Sequence, residues 1–144
     1  MRTIDDIAAD FELLGDWEER YRYIIELGRD LEPLPEVERT DANKVRGCAS
    51  QVWLWTRREM HGDRMVLRFG GDSDALIVRG LVAIALALFD DKTPEQIAAT
   101  DAEAAFARLE LREHLTAQRS NGLRSLVNRI RAEAAVAGSR AVIQ

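Results

Sequence analysis

The sequence predicts an α+β domain, with helices at both ends of the chain and a small central antiparallel sheet of about three strands between them. Three observations carry this reading. Apolar residues recur at helical spacing in the first thirty residues and again after Asp74. From Gln51 to Phe69 they alternate instead, and a turn signal at Met60-His61-Gly62-Asp63-Arg64 splits the alternation in two. The chain has 144 residues, 47% of them apolar, which suits one core. A single domain over residues 1–138 is expected, with 139–144 as a frayed tail.

Thr3 is the cap of a first helix whose inner face carries Ile4, Ile7, Ala8, Phe11 and Leu14, and Gly15 stops it. Asp16 opens a second helix, with Glu19 completing a capping box and Trp17, Tyr21, Ile24, Ile25 and Gly28 facing inward. Pro33 and Pro35 break the helical pattern, so Leu31 to Asn43 is a surface loop. A strand follows over Gln51 to Thr56, apolar on both faces and therefore covered on much of both sides. Met65, Leu67 and Phe69 form the inner face of its return strand, which Gly70 and Gly71 end. Asp72, Ser73 and Asp74 are placed to cap a helix reaching Phe89, apolar almost all round and therefore the most buried one.

Thr93-Pro94-Glu95-Gln96 carries a second capping box with proline at the first helical position, and Thr100 with Glu103 repeats the device. The last helix begins near Ser120, presents Leu123, Leu126, Val127 and Ile130 on one face, and ends at Gly138.

Charge and composition narrow the function. A net charge of -5 argues against a nucleic-acid surface. The apolar run ending at Phe89 is shorter than the roughly 20 residues of a membrane span and contains Arg79 and Gly80. No N-terminal stretch has the make-up of an export signal, and one cysteine fits a reducing compartment, so a cytoplasmic location is expected.

That one cysteine, Cys48, lies between a polar loop and the most apolar strand. Lone cysteines commonly serve as small buried hydrophobes. Here Gly47 lets the backbone turn sharply, Ala49 and Ser50 add little bulk, and the cations Lys44 and Arg46 favour thiolate, the nucleophilic form. An intrachain disulfide and a Cys-x-x-Cys redox motif are excluded. His61 and His114 lack metal-ligand spacing, and a Cys-His dyad with either is disfavoured because His61 sits in a turn and His114 in a charged segment.

Four blocks in order resemble the SufE/CsdE family of cysteine desulfuration proteins, over nearly the whole chain. They are Trp17-Glu18-Glu19-Arg20-Tyr21 with Tyr23 to Gly28; Gly47-Cys48-Ala49-Ser50-Gln51-Val52-Trp53, similar to the family's Gly-Cys-x-Ser-Gln-Val-Trp loop; Gly71 to Ala75 with Ile77 to Leu81; and Leu115-Thr116 with Arg119-Ser120 and Gly122-Leu123. Ala117 and Asn121 depart from the family's usual proline and glutamine. The resemblance implies a SufE/IscU-like fold. It implies that Cys48 takes a sulfur atom from the persulfide of a cysteine desulfurase, stimulating that enzyme, and passes it to an iron–sulfur cluster assembly scaffold. No cofactor or metal would be bound; pyridoxal phosphate (PLP) would belong to the desulfurase. Arg119 is expected near the sulfur, Ser50 and Gln51 to shape the loop, and Arg46, Gly47 and Asp74 to support it or meet a partner. A homodimer stays open. The rival readings are a standalone thiol enzyme, rhodanese-like or a peroxidase, and a module that activates a desulfurase without carrying sulfur.

Overall fold

The computed structural model describes residues 2–143, with side chains through residue 139. Helix α1 (Ile4–Leu13) starts at Thr3, whose hydroxyl and the Asp6 carboxylate form a reciprocal capping box. Helix α2 (Trp17–Arg29) is capped by Asp16, but Glu19 accepts from the Gly15 amide rather than closing the box on Asp16. Ile7, Ala8, Phe11, Ile24, Leu27 and Gly28 are the buried positions of the pair. The following loop contains one turn of 3-10 helix (Glu36–Glu38) and pins Leu31 and Leu34 into the interior.

Strands β1 (Val52–His61) and β2 (Arg64–Ser73) form an antiparallel hairpin joined at Gly62, which has φ +65°. Among the described residues the sheet has two strands, not the expected three; in the third strand's place are single bridges, Lys44 to Trp53 and Leu67 to Lys92. Val52 and Leu54 face the core, while Trp53 and Trp55 on the other face lie under the guanidinium groups of Arg39 and Arg57, at 5.1 and 5.0 Å. The strand is thus covered on both sides, as its composition predicts. β2 does not end at Gly70 and Gly71. They pair with Trp55 and Leu54, and a Cβ on Gly71 would stand 2.7 Å from Val82 Cγ1, so these glycines admit close neighbours rather than stopping the strand.

Helix α3 (Leu76–Phe89) is buried along most of its length and packs against α2 and β2. Its cap is Ala75, with no side-chain bond; Asp72, Ser73 and Asp74 are used elsewhere, as described below. Short helices follow: α4 (Pro94–Ala99) with the expected Thr93–Gln96 box, α5 (Ala102–Arg108) and α6 (Leu111–His114). Asp101, not Thr100, caps α5, because the Thr100 hydroxyl donates back to the Gln96 carbonyl.

Helix α7 (Ala117–Ile143) starts three residues before Ser120 and buries Leu123, Leu126, Val127 and Ile130. It runs through Gly138 without stopping. A Cβ there would lie 3.4 Å from Pro94 Cβ, so Gly138 sits where α7 passes close to α4. From residue 140 the expected tail lies outside the described side chains.

Candidate functional site

The Cys48 loop is closed at its base by the Val45 amide, which donates to the Val52 carbonyl at 2.8 Å. Two posts hold its ends. Upstream, Arg129 of α7 donates from Nη1 to the Lys44 carbonyl (3.2 Å) and from Nη2 to the Ala42 carbonyl (2.6 Å), while Glu133 holds its Nε at 3.0 Å. Downstream, Asp74 accepts from the Gln51 amide at 3.1 Å and from its side-chain Nε2 at 3.5 Å. Asp74 therefore ties down the loop and does not cap α3. Asp72 is buried between Arg39 and Arg79, whose Nε lies 3.3 Å from its carboxylate, and it accepts the Ser73 amide; Ser73 Oγ accepts the Ala75 amide. A buried carboxylate between two guanidiniums meets the need for partners that any charge taken out of water has.

Between the posts, Gly47 takes φ +88° and Cys48 turns in toward α7. The half-buried thiol donates to the Gly122 carbonyl, 3.6 Å away. It faces a cavity of about 250 Å³ lined by Ser50, Val78, Leu81, Arg119, Leu123 and Leu126, among others. Burial pushes the thiol pKa up. This overturns the expected lowering by Lys44 and Arg46: the Lys44 backbone is engaged with Trp53, Arg46 is exposed on the loop, and neither side chain lines the cavity. Desolvation of the charged form is the cause of the rise.

Of the residues singled out in sequence, the fold brings Cys48, Ser50 and Arg119 to one cavity and bonds Gln51 to Asp74 beside it. Arg119 is exposed at the first turn of α7, its amide held by Thr116 Oγ1. Neither histidine lines the cavity; His61 pairs with Glu59 and His114 stacks on Trp17 at 3.9 Å. No group of three or more His, Cys, Asp or Glu residues placed to hold a metal occurs among the described residues. Sequence reasoning did not place Gly122, Ser125 or Arg129 at the site, although Gly122 stands in the fourth block of the family resemblance.

A family model described as "SufE: Fe-S metabolism associated domain" matches residues 5–134. The chain belongs to the SufE family. A SufE-like protein of Rhizobium meliloti (strain 1021) is 53% identical over 134 residues, covering 93% of this chain and 96% of that protein. A SufE-like protein of Rhizobium etli is 55% identical over 136 residues, covering 94% and 92%. The solution structure of a hypothetical protein from Thermus thermophilus superimposes with a TM-score of 0.70 at 19% identity, covering 94% of this chain and 96% of that one, which shows a shared fold. The SufE match spans all of the loop, its posts and the cavity wall, and it associates the chain with Fe–S metabolism. No helix among the described residues is long and apolar enough to cross a membrane.

Proposed function

We propose that this SufE protein is a sulfur carrier that receives sulfur on Cys48 from a PLP-dependent cysteine desulfurase, stimulates that enzyme, and hands the sulfur to an iron–sulfur assembly scaffold. The observation that carries the reading is a lone thiol on a loop, turned against a largely apolar cavity, in a chain of this family. The Cys48 thiol gives up its proton and attacks the outer sulfur of the donor's persulfide. A new S–S bond forms, the donor's own S–S bond breaks, and the donor leaves as a thiolate that can take up a proton. Discharge repeats the exchange with an acceptor thiolate and returns Cys48 as a thiol. No net oxidant is needed, because the sulfane sulfur carries its oxidation state with it.

The raised thiol pKa suits a carrier at rest. Turned inward, Cys48 is protonated and slow to react; brought out to water in a partner's active site, it recovers its ordinary acidity. Arg119 at the cavity would stabilise the thiolate or persulfide anion as the sulfur leaves the interior.

The test is intact mass spectrometry after mixing the chain with a desulfurase and cysteine. A gain of one sulfur atom, mapped to Cys48 and absent from Cys48→Ser, is expected. An unloaded Cys48, or a Cys48→Ser chain that still stimulates turnover fully, would overturn the carrier reading; the latter points to an activator alone. Turnover of thiosulfate or peroxide by the purified chain alone would favour a standalone thiol enzyme.

A further inference from the structure

Helix α7 borders cavities on two of its faces. The Cys48 cavity takes Gln118, Arg119, Gly122 and Leu126 from one face, and a second cavity of about 200 Å³ takes Ser120, Arg124, Val127 and Asn128 from the other. The floor of the second is apolar, with Phe106, Leu111, Leu123 and Val127 all buried. Its rim is basic. Arg112, Arg124 and Arg131 are exposed there beside a single acid, Glu103, in a chain whose acids outnumber its Lys and Arg by 25 to 20. Arg131 spends one donor on the Thr100 carbonyl, at 2.9 Å; among the described residues none of the three arginines pairs with a carboxylate. Arg131 also lines a more open groove of about 630 Å³, whose wall is made of small side chains at Pro94, Ala98, Ala134 and Ala135. The two spaces share that arginine and together follow α7 from Ser120 to Ser139.

We infer that this trough docks an acidic peptide segment of a partner protein, with an apolar side chain seated over Phe106 and Val127 and carboxylates on Arg112, Arg124 and Arg131. Charge complementarity sets the sign of the occupant, because guanidinium groups bind carboxylates through paired, charge-assisted hydrogen bonds. The size of the cavity sets its scale: it is smaller than the roughly 300–1,000 Å³ of a drug-sized site, and suits one side chain. Spacing then favours a chain over a single headgroup. Arg124 and Arg131 are seven residues apart, about 10 Å along the helix, and carboxylates three residues apart on an extended peptide span about the same distance. The site lies on a face of α7 turned away from the Cys48 cavity, so a partner held here leaves the thiol free. The inference does not depend on what Cys48 carries.

The probe is a fluorescein-labelled peptide, Gly-Asp-Glu-Leu-Phe-Glu-Asp-Ala-Gly, titrated with the full chain and followed by fluorescence anisotropy. Saturable binding is expected, with amide shifts in a nitrogen–proton spectrum centred on Leu123, Val127 and Arg131. Arg124→Glu should weaken binding about tenfold or more, as loss of a charge-assisted contact does. Replacing Leu-Phe of the peptide by Ser-Ser should weaken it about as much, since the apolar floor then gains nothing. Arg58→Glu makes the same charge change on the hairpin, where Arg58 is exposed and outside the trough, and should bind like wild type. Cys48→Ser should bind like wild type as well, which separates this site from the carrier reading. Circular dichroism melts establish that the variants are folded. Absence of saturable binding up to about 1 mM peptide, the weak end of specific recognition, overturns the proposal. Equal weakening by Arg58→Glu, or full binding of the Ser-Ser peptide, overturns it too, because either result reduces the attraction to general charge. So does a peptide-blind trough whose Arg124→Glu change abolishes self-association in sedimentation, or binding to phosphatidylserine vesicles: the occupant would then be a second copy or a membrane.

Discussion

At Cys48, burial raises the pKa of the thiol. The rate of alkylation by a small reagent follows the thiolate fraction, so its pH midpoint in the folded chain should lie above that of the same chain in urea. The sign follows from a raised pKa: at any pH below it, the folded thiol keeps its proton longer. A midpoint below the unfolded one would show that Lys44, Arg46 or Arg119 dominates after all. Burial also matters at Asp72, read from sequence as a helix cap and found buried between Arg39 and Arg79. Asp72→Asn keeps the shape and removes the charge, leaving two guanidiniums facing each other. Urea unfolding should show a loss of about 3 kcal/mol, the usual result of breaking a buried ion pair from one side. A change within about 0.5 kcal/mol, as at ordinary surface positions, would mean that water already compensates the arginines. The sequence could not distinguish cap from ion pair. An acid before an apolar run has the same appearance in both cases, and Arg39 lies 33 residues away along the chain.

Among the elements, the α2–α3 crossing leaves no room for side chains at its glycines. A Cβ on Gly80 would stand 2.1 Å from the Ile24 carbonyl oxygen, and one on Gly28 would stand 2.7 Å from the Gly80 amide nitrogen. Helix propensity alone favours Gly80→Ala by about 1 kcal/mol. The backbone collision should reverse that sign and cost about 3 kcal/mol, at the upper end of overpacking penalties. Gly15→Ala is the control, because its Cβ would meet only Glu19, at 4.0 Å. Thermal melts of the two variants test the contrast; equal melting temperatures would show that the crossing yields easily. The periodicity of both helices and the caps at Thr3, Asp16 and Thr93 were legible in the sequence because they depend on neighbours within four residues. The glycines were not. Gly70, Gly71 and Gly138 look like terminators in a one-dimensional reading, whereas in the fold each admits a neighbour brought there by tertiary packing: Trp55, Val82 and Pro94.

For the molecule as a whole, the candidate site is a junction between the middle of the chain and its last helix. The loop and strand containing Cys48 were legible, since Gly47, the small flanking residues and the alternating run are local signals. The wall of the site was not, because the sulfur meets Gly122 across 74 residues and Arg129 reaches the Ala42 carbonyl across 87. Arg129 is the long-range tie that holds this junction, and its removal separates the post from the rest of the fold. Arg129→Met retains much of the stem's apolar bulk but loses both donors to the loop carbonyls, each a charge-assisted bond. The expected cost is about 1.5–3 kcal/mol. The distribution of the loss should be more telling than its size. Hydrogen exchange at Lys44, Val45 and Arg46 should accelerate, while Thr56 to Leu67, at the far end of the hairpin, keeps its protection. Faster exchange spread evenly over the sheet would mean that Arg129 stabilises the domain at large, and that the loop has no post of its own on α7.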